Sequence, residues 1–310
     1  MPESRNILLV VNPAAQRGRG ARLGARVAAR LREMGARATV RPTAARDDAR
    51  RITREAVANR SERLDCLAAC GGDGTVQEVA GALADARLSG MSDVPALGVV
   101  PAGRCNDFAR ALGIDRDVES VATTLAHGCR VPVDLGRAND HYFCTVATLG
   151  IDAEVSRFVD EMRMPLSGTA AYLYGTLRVL LRYRARQVRL EGDFGTIDEP
   201  LFMATTANTA CYGGAIHVAP GASPTDGVLD VCVVGPLSKR RALRLLPTLL
   251  RGQHTGEPEV RLMRTRQLHV TTPEPSELWA DGEPLAHTPV HLEAIPGAID
   301  MLRPRRGIPT

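Results

Sequence analysis

The 310-residue sequence predicts an α/β plus β fold, a Rossmann-like α/β half followed by a β-sandwich-like half. Three observations predict it. The chain is too long for one average domain and long enough for two, each with its own core. From residue 5 to about residue 130, short apolar runs alternate with helical patterns, the signature of a parallel sheet covered by helices. Beyond "GCRVPVDLGRAND" the pattern changes to strands and turns. That change alone sets a boundary near residue 134, giving domains 1–134 and 135–297. Whether 298–310 crosses back to complete the first domain is left open.

The first half begins with the strand "NILLVVN", then the helical "ARLGARVAARLREMG", the strand "ATVRPT" and the helical "DDARRITREAVAN". The strand "LDCLAAC" leads through a glycine turn into "TVQEVAGALAD", and "ALGVVPAG" leads into "DFARALG". In such sheets ligands bind where the carboxyl ends of the strands open into loops. The candidate loops therefore follow Val11, Cys70 and Val100.

The second half reads as strands "YFCTVATLGI", "QVRLEGDF", "LFMATTAN", "VLDVCVVG", "RQLHVTT" and "VHLEAI", with turn pairs such as Asn139-Asp140 and Asp226-Gly227. Two helical patterns interrupt it, at 168–184 and 238–251. The first combines Leu173, Leu177, Leu180 and Leu181 with Arg178, Arg182 and Arg184. Such a helix packs its leucines inward or lies on an anionic membrane surface, and one end can do each.

Composition removes several chemistries. Apolar content of 44% with 24% charged residues is globular, and a net charge of +4 over this length is no nucleic-acid footprint. Lys239, in "PLSKRRAL", is the single lysine, which excludes a Walker A loop, a protein-kinase strand lysine and a Schiff base. The seven cysteines form no C-x-x-C pair and read as reduced, mostly buried thiols. His287 and His291 have H-x-x-x-H spacing, but Pro289 between them breaks the helix a zinc motif needs. No basic-then-apolar leader and no window of 18 apolar residues occur, so the expected location is cytoplasmic.

The loop "CGGDGTVQEV" carries the most chemistry. Amides at Gly71, Gly72 and Gly74, beside a helix start, suit phosphate oxygens. Asp73 opposes this: at ~4 Å from one phosphate charge the repulsion is about 4 kcal/mol at an effective dielectric of about 20. A Mg²⁺ ion between them removes the conflict, because carboxylate and phosphate oxygens are its usual ligands. An Asx turn that caps the helix is the alternative use of Asp73. "VVNPAAQRGRG" places Asn12 and Pro13 directly after the first strand, and its glycines miss the G-x-G-x-x-G spacing. "VVPAGRCNDFARALG" brings Asn106 and Asp107 to a helix start, where Asp107 also suits ordinary capping.

"NPAA", "GGDGTVQEV" and "PAGRCNDFARALG", in this order and spacing, resemble the catalytic domain of the diacylglycerol kinase and sphingosine kinase family, closest to its bacterial soluble lipid kinases. The resemblance continues through "TTANTACYGGAIHVAPGASPTDGVLDV" and "LWADGEPL" and so covers nearly the whole chain. It implies an ATP- and Mg²⁺-dependent lipid kinase with its active site in the interdomain cleft. Gly71, Gly72, Asp73, Gly74, Thr75 and Gln77 would surround the ATP phosphates. Asn12, Pro13 and Thr43 would contact the nucleotide, together with Arg104, Asn106 and Asp107 of the third loop. Asp73 would organise the catalytic Mg²⁺ through water, and Asp281 or Glu283 would be the general base. Asp226, with carbonyls of Ser223 and Val228, would hold a second, structural Mg²⁺. Taken alone, "DGE" also suits a polar hairpin turn.

The chain departs from the family's pattern at Ala14-Ala15, where Ser-Gly is frequent, and at Gly103-Arg104, where Gly-Thr is usual. Arg104 can pair with a phosphate or displace a threonine's contact with the nucleotide. The implied partners are a lipid substrate, diacylglycerol-like or a long-chain base, and the inner membrane surface, met transiently and peripherally. No nucleic acid is implied, and a homodimer is compatible. Two other readings stay open: a kinase of a soluble acceptor, as in NAD kinase-like enzymes that share "GGDGT", and a nucleotide-sensing module without catalysis.

Overall fold

The computed structural model describes residues 4–305 except 60, 62, 162–168 and 215. The chain forms two compact units: one runs up to Val133 and takes in the chain again from Gly297, and the other is Asp134–Pro296.

The first unit contains β1 (Asn6–Val11), α1 (Ala15–Glu33), β2 (Arg37–Pro42), α2 (Asp48–Ala58), β3 (Cys66–Gly71), α3 (Asp73–Leu88), β4 (Ala96–Pro101), α4 (Asp107–Ala111) and α5 (Val118–His127). Its strands run in the order β2-β1-β3-β4, all parallel, with Ile7 opposite Cys66 and Cys66 opposite Ala96. β3 and β4 are buried at every residue, which explains why they read as unbroken apolar runs. One layer of helices packs Val27, Leu31, Val121 and Leu125 onto Ile7, Leu9, Cys70 and Val100. α5 has no counterpart among the predicted helices. Its buried stripe is Val121, Ala122, Leu125 and Ala126, too short in side chain to stand out from the surrounding Ser and Thr. Asp117 caps it, accepting from the Ser120 amide at 2.8 Å.

The second unit takes over within β5 (Cys129–Ala138) and continues as β6 (His141–Phe143), β7 (Val146–Gly150), α6 (Ile151–Glu161), α7 (Thr169–Leu180), β8 (Arg186–Gly192), β9 (Gly195–Leu201), β10 (Met203–Ala207), β11 (Leu229–Val234), α8 (Lys239–Leu250), β12 (Val260–Thr265), β13 (Gln267–Thr271), β14 (Glu277–Ala280), β15 (Glu283–His287) and β16 (Val290–Arg303). The last strand returns the chain to the first unit, where Met301 pairs with Leu97. The helices expected at 168–184 and 238–251 are α7 and α8; residue 168, like 306–310 of the C-terminal segment, lies outside the described residues.

Within this unit an antiparallel sheet of order β12-β11-β10-β7-β14-β15 packs against the strands β16, β13, β8 and β9. Leu149, Leu190, Val231, Leu268 and Leu292 form the dry layer between them. The opposite face of the six-stranded sheet is also apolar and lies under α6, α7 and α8, with Val155, Leu180, Phe202, Cys232 and Val234 in that second layer. α6 is a further helix absent from the predicted set.

Asp152, in the first turn of α6, is buried in this layer, and burial pushes its carboxyl up to about 7 despite a hydrogen bond with Tyr212. The folded chain therefore holds this proton more tightly than the unfolded chain does. Stability is predicted to fall as pH rises between the ordinary 3.8 and about 7. Denaturant midpoints measured across that range should fall less in Asp152→Asn than in the unaltered chain.

Candidate active site

The order β2-β1-β3-β4 reverses direction between β1 and β3, and a doubly wound sheet opens a crevice at such a point, beyond the carboxyl ends of the strands. All three predicted loops leave the sheet at that edge. Asn12 follows β1: its amide donates to the Cys70 carbonyl at 2.9 Å, its Oδ1 accepts from the Ala14 amide at 3.0 Å, and its Nδ2 donates to Thr75 Oγ1 at 3.4 Å. One side chain thus joins the first loop to the first turn of α3. Thr43, just past β2, is buried and donates its amide to the Val11 carbonyl at 2.8 Å.

The glycines of this edge permit close packing. A Cβ on Gly71 would lie 2.4 Å from Thr75 Oγ1, and one on Gly103 would lie 2.4 Å from the Cα of Gly72. The second and third loops therefore touch backbone to backbone. Asn106, in the left-handed region at φ 52°, fixes the third loop by accepting from the Gly103 amide at 2.7 Å and donating to its carbonyl at 2.9 Å. Gln16 donates to the same carbonyl at 3.0 Å. Gln16 and Gly103 are not among the sequence candidates. Nothing local marks Gln16, and the packing that requires Gly103 is long-range.

α1 and α3 begin at this edge without a side-chain cap, whereas the first turn of α4 meets the Asp73 carboxylate and α5 and α8 are capped by Asp117 and Ser238. Uncapped N-terminal amides carry partial positive charge and suit an anion. Asp73 is half-buried, and its Oδ1 accepts from the Phe108 amide of α4 at 3.4 Å. Asp107 is buried and paired with Arg110. Burial, reinforced by Asp107 and Asp73, pushes the Cys105 thiol up to about 11. Thr75 and Gln77 are buried, Pro13, Gly72 and Gly74 are half-buried, and Arg104 is exposed.

The remaining predicted residues lie in the second unit. Asp281 and Gly282, at φ 53° and 86°, form the two-residue turn between β14 and β15. The Asp281 carboxylate accepts from the Cys144 amide at 2.7 Å, the Thr145 amide at 2.9 Å and the Thr145 hydroxyl. Glu283, the first residue of β15, is half-buried.

The proposed metal positions differ in fit. Asp226 is paired with Arg264 and accepts from the Val228 amide at 3.3 Å, while Ser223 and Thr225 bond through their hydroxyls at 3.0 Å. The guanidinium already supplies the countercharge, so as arranged these residues do not fit a cation. Asp73 does fit by donor chemistry: one carboxylate beside an anion site is enough for an ion that keeps several waters. Among the described residues, no three His, Cys, Asp or Glu side chains gather to hold a metal.

Comparison with known proteins matches residues 6–138 to the diacylglycerol kinase catalytic domain and residues 145–303 to the YegS C-terminal NAD kinase beta sandwich-like domain. A diacylglycerol kinase of Mycobacterium tuberculosis is 33% identical over 98% of this chain and 97% of its own length. One from Bacillus subtilis is 29% identical, covering 89% and 88%. A solved diacylglycerol kinase-like structure from Bacillus anthracis aligns with a TM-score of 0.83 at 25% identity, over 98% of this chain and 97% of that one.

The contact of Gly72 with Gly103 makes a prediction. Gly103→Ala should force the second and third loops apart and weaken nucleotide binding by about tenfold or more while the second unit stays folded. Titration with a fluorescent ATP analogue, with circular dichroism as the folding control, measures this.

Proposed function

The chain belongs to the diacylglycerol kinase family and is a lipid kinase, and from that premise we propose that it transfers the γ-phosphoryl group of ATP, with Mg²⁺, to the hydroxyl of a diacylglycerol-like lipid or long-chain base. The observation that carries the nucleotide half is the convergence of three loops, with the uncapped starts of α1 and α3, at the β1/β3 reversal. Amides beside Gly72 and Gly74 hold phosphate oxygens, Asn12 and Thr43 line the nucleotide's side, and Arg104 offers a guanidinium to a phosphate. Bound Mg²⁺ supplies charge neutralisation between phosphate and carboxylate, and Asp73 holds it, directly or through water. Asn106, Gln16 and the two glycines keep the donors in place before the nucleotide arrives.

The acceptor's proton goes to a carboxylate of the Asp281–Glu283 turn. Asp281 is fixed by the 144–145 backbone, and Glu283 stands two residues on. A lipid acceptor is supported by the second unit. Under its helices lies an apolar cavity of about 90 Å³ lined by Val155, Leu180, Phe202, Leu245 and Leu249, with Asp152 in its wall. Tyr174, Leu177 and Leu181 on or beside α7 and Leu243 on α8 are exposed. The sequence has no Asp or Glu from 169 to 186 or from 235 to 251. An apolar, acid-free surface of this kind favours transient contact with an anionic bilayer. Among the described residues no helix is long and apolar enough to cross a membrane.

The NAD kinase-like description of the sandwich favours a second reading, phosphorylation of a soluble acceptor. A rate that depends on lipid surface concentration separates the two. With labelled ATP, Mg²⁺ and a panel of lipids in mixed micelles, label should pass to a lipid hydroxyl; folded protein that labels none contradicts the proposal. Asp281→Asn and Glu283→Gln are predicted to differ. The variant that removes the base should lose about 10²- to 10⁴-fold in kcat, and the other much less. Because Asp281 also holds Cys144 and Thr145, its variant needs a parallel unfolding measurement.

A further inference from the structure

We propose that Glu78 is a positioning residue for the nucleotide, holding the loop after β2 in its binding shape. This inference rests on the reading of the β1/β3 edge as an ATP site. Glu78 lies on α3, five residues beyond Asp73, and its carboxylate reaches across to the start of α2. It accepts from the Asp47 amide at 3.2 Å, the Ala49 amide at 3.0 Å and the Arg50 amide at 3.3 Å. These include two of the amides that a helix leaves without partners in its first turn.

The usual device is absent. Asp47 occupies the N-cap position of α2, but its side chain makes no capping bond, and its backbone is left-handed at φ 62°. A non-glycine residue in that region carries strain, which persists only where neighbours fix it. Glu78 fixes it from a different helix. At the other end of the loop, Thr43 is tied to Val11, and the Ala44 amide donates to Asp48 at 2.7 Å. Residues 43–47 are therefore set from both ends, by β1 on one side and by α3 on the other.

Two consequences follow for the nucleotide. α3 starts at the phosphate loop, so Glu78 makes the placement of Thr43 depend on the element that holds the phosphates. Glu78 also fills the start of α2 with a carboxylate, which repels phosphate there and leaves α1 and α3 as the anion-binding helix ends of this edge. Phosphates are directed to the loops after β1, β3 and β4, and the remainder of the nucleotide toward Thr43.

Calorimetric titration of the full chain with ATP and Mg²⁺ tests this, alongside kcat and KM. Glu78→Ala should weaken ATP binding, and raise its KM, by about threefold to tenfold, the scale of a lost helix cap. At saturating ATP, kcat and the KM for lipid should stay within about twofold. Glu78→Gln, whose amide oxygen still accepts, should recover most of the affinity. A folded Glu78→Ala protein with unchanged ATP affinity, or one that loses kcat alone, overturns the inference. An unaltered chain that binds no ATP overturns the nucleotide reading, and this inference with it.

Discussion

The parallel register of β2-β1-β3-β4 is the constraint on which the candidate site depends. Parallel strands end on the same edge, so Asn12, Thr43, Gly72 and the loop at Gly103 become neighbours although they are tens of residues apart in sequence. The reversal between β1 and β3 then leaves room between helices α1 and α3 for a ligand. Loss of a Cβ at Gly71 and Gly103 lets the loops close on one another, and the side chains of Asn12, Asn106 and Gln16 hold them there. The site consists chiefly of fixed backbone dipoles, which need little reorganisation to meet an anion.

Carboxylates are used in three ways. Glu78 and Asp117 complete helix starts. Asp281 anchors a turn by accepting from two amides and a hydroxyl, which gives it a structural role whether or not it takes a proton. Asp73 stands where phosphate is expected, and the nearby Asp107 is already balanced by Arg110. On the proposed reading Asp73 is the carboxylate that meets the divalent ion.

The α/β order and the site loops were legible because their signals are local. "NILLVVN", "LDCLAAC" and "ALGVVPAG" are buried strands, β1, β3 and β4, and each runs into Asn, Gly or Pro where a strand must stop. α5 and α6 were not legible. Short side chains blur the stripe of α5, and α6 follows β7 with no turn residue other than Gly150. Long-range contacts were also out of reach. No motif shows that the Asp281 carboxylate meets Cys144 and Thr145, or that Arg264 occupies Asp226, because those pairings are made by sheet register. The hairpin use of "DGE" and its proposed chemical use thus coexist in one turn.

On the proposed reading, ATP phosphates lie against the loops after β1, β3 and β4, with a divalent cation at Asp73. A crystal structure with a non-hydrolysable ATP analogue and Mn²⁺ tests it most directly, since the anomalous signal of Mn²⁺ marks the cation. Phosphate density within hydrogen-bond distance of the Gly72–Gly74 amides, with Mn²⁺ beside Asp73, is the predicted result. Nucleotide bound elsewhere, or Mn²⁺ held at a site remote from Asp73, would contradict it.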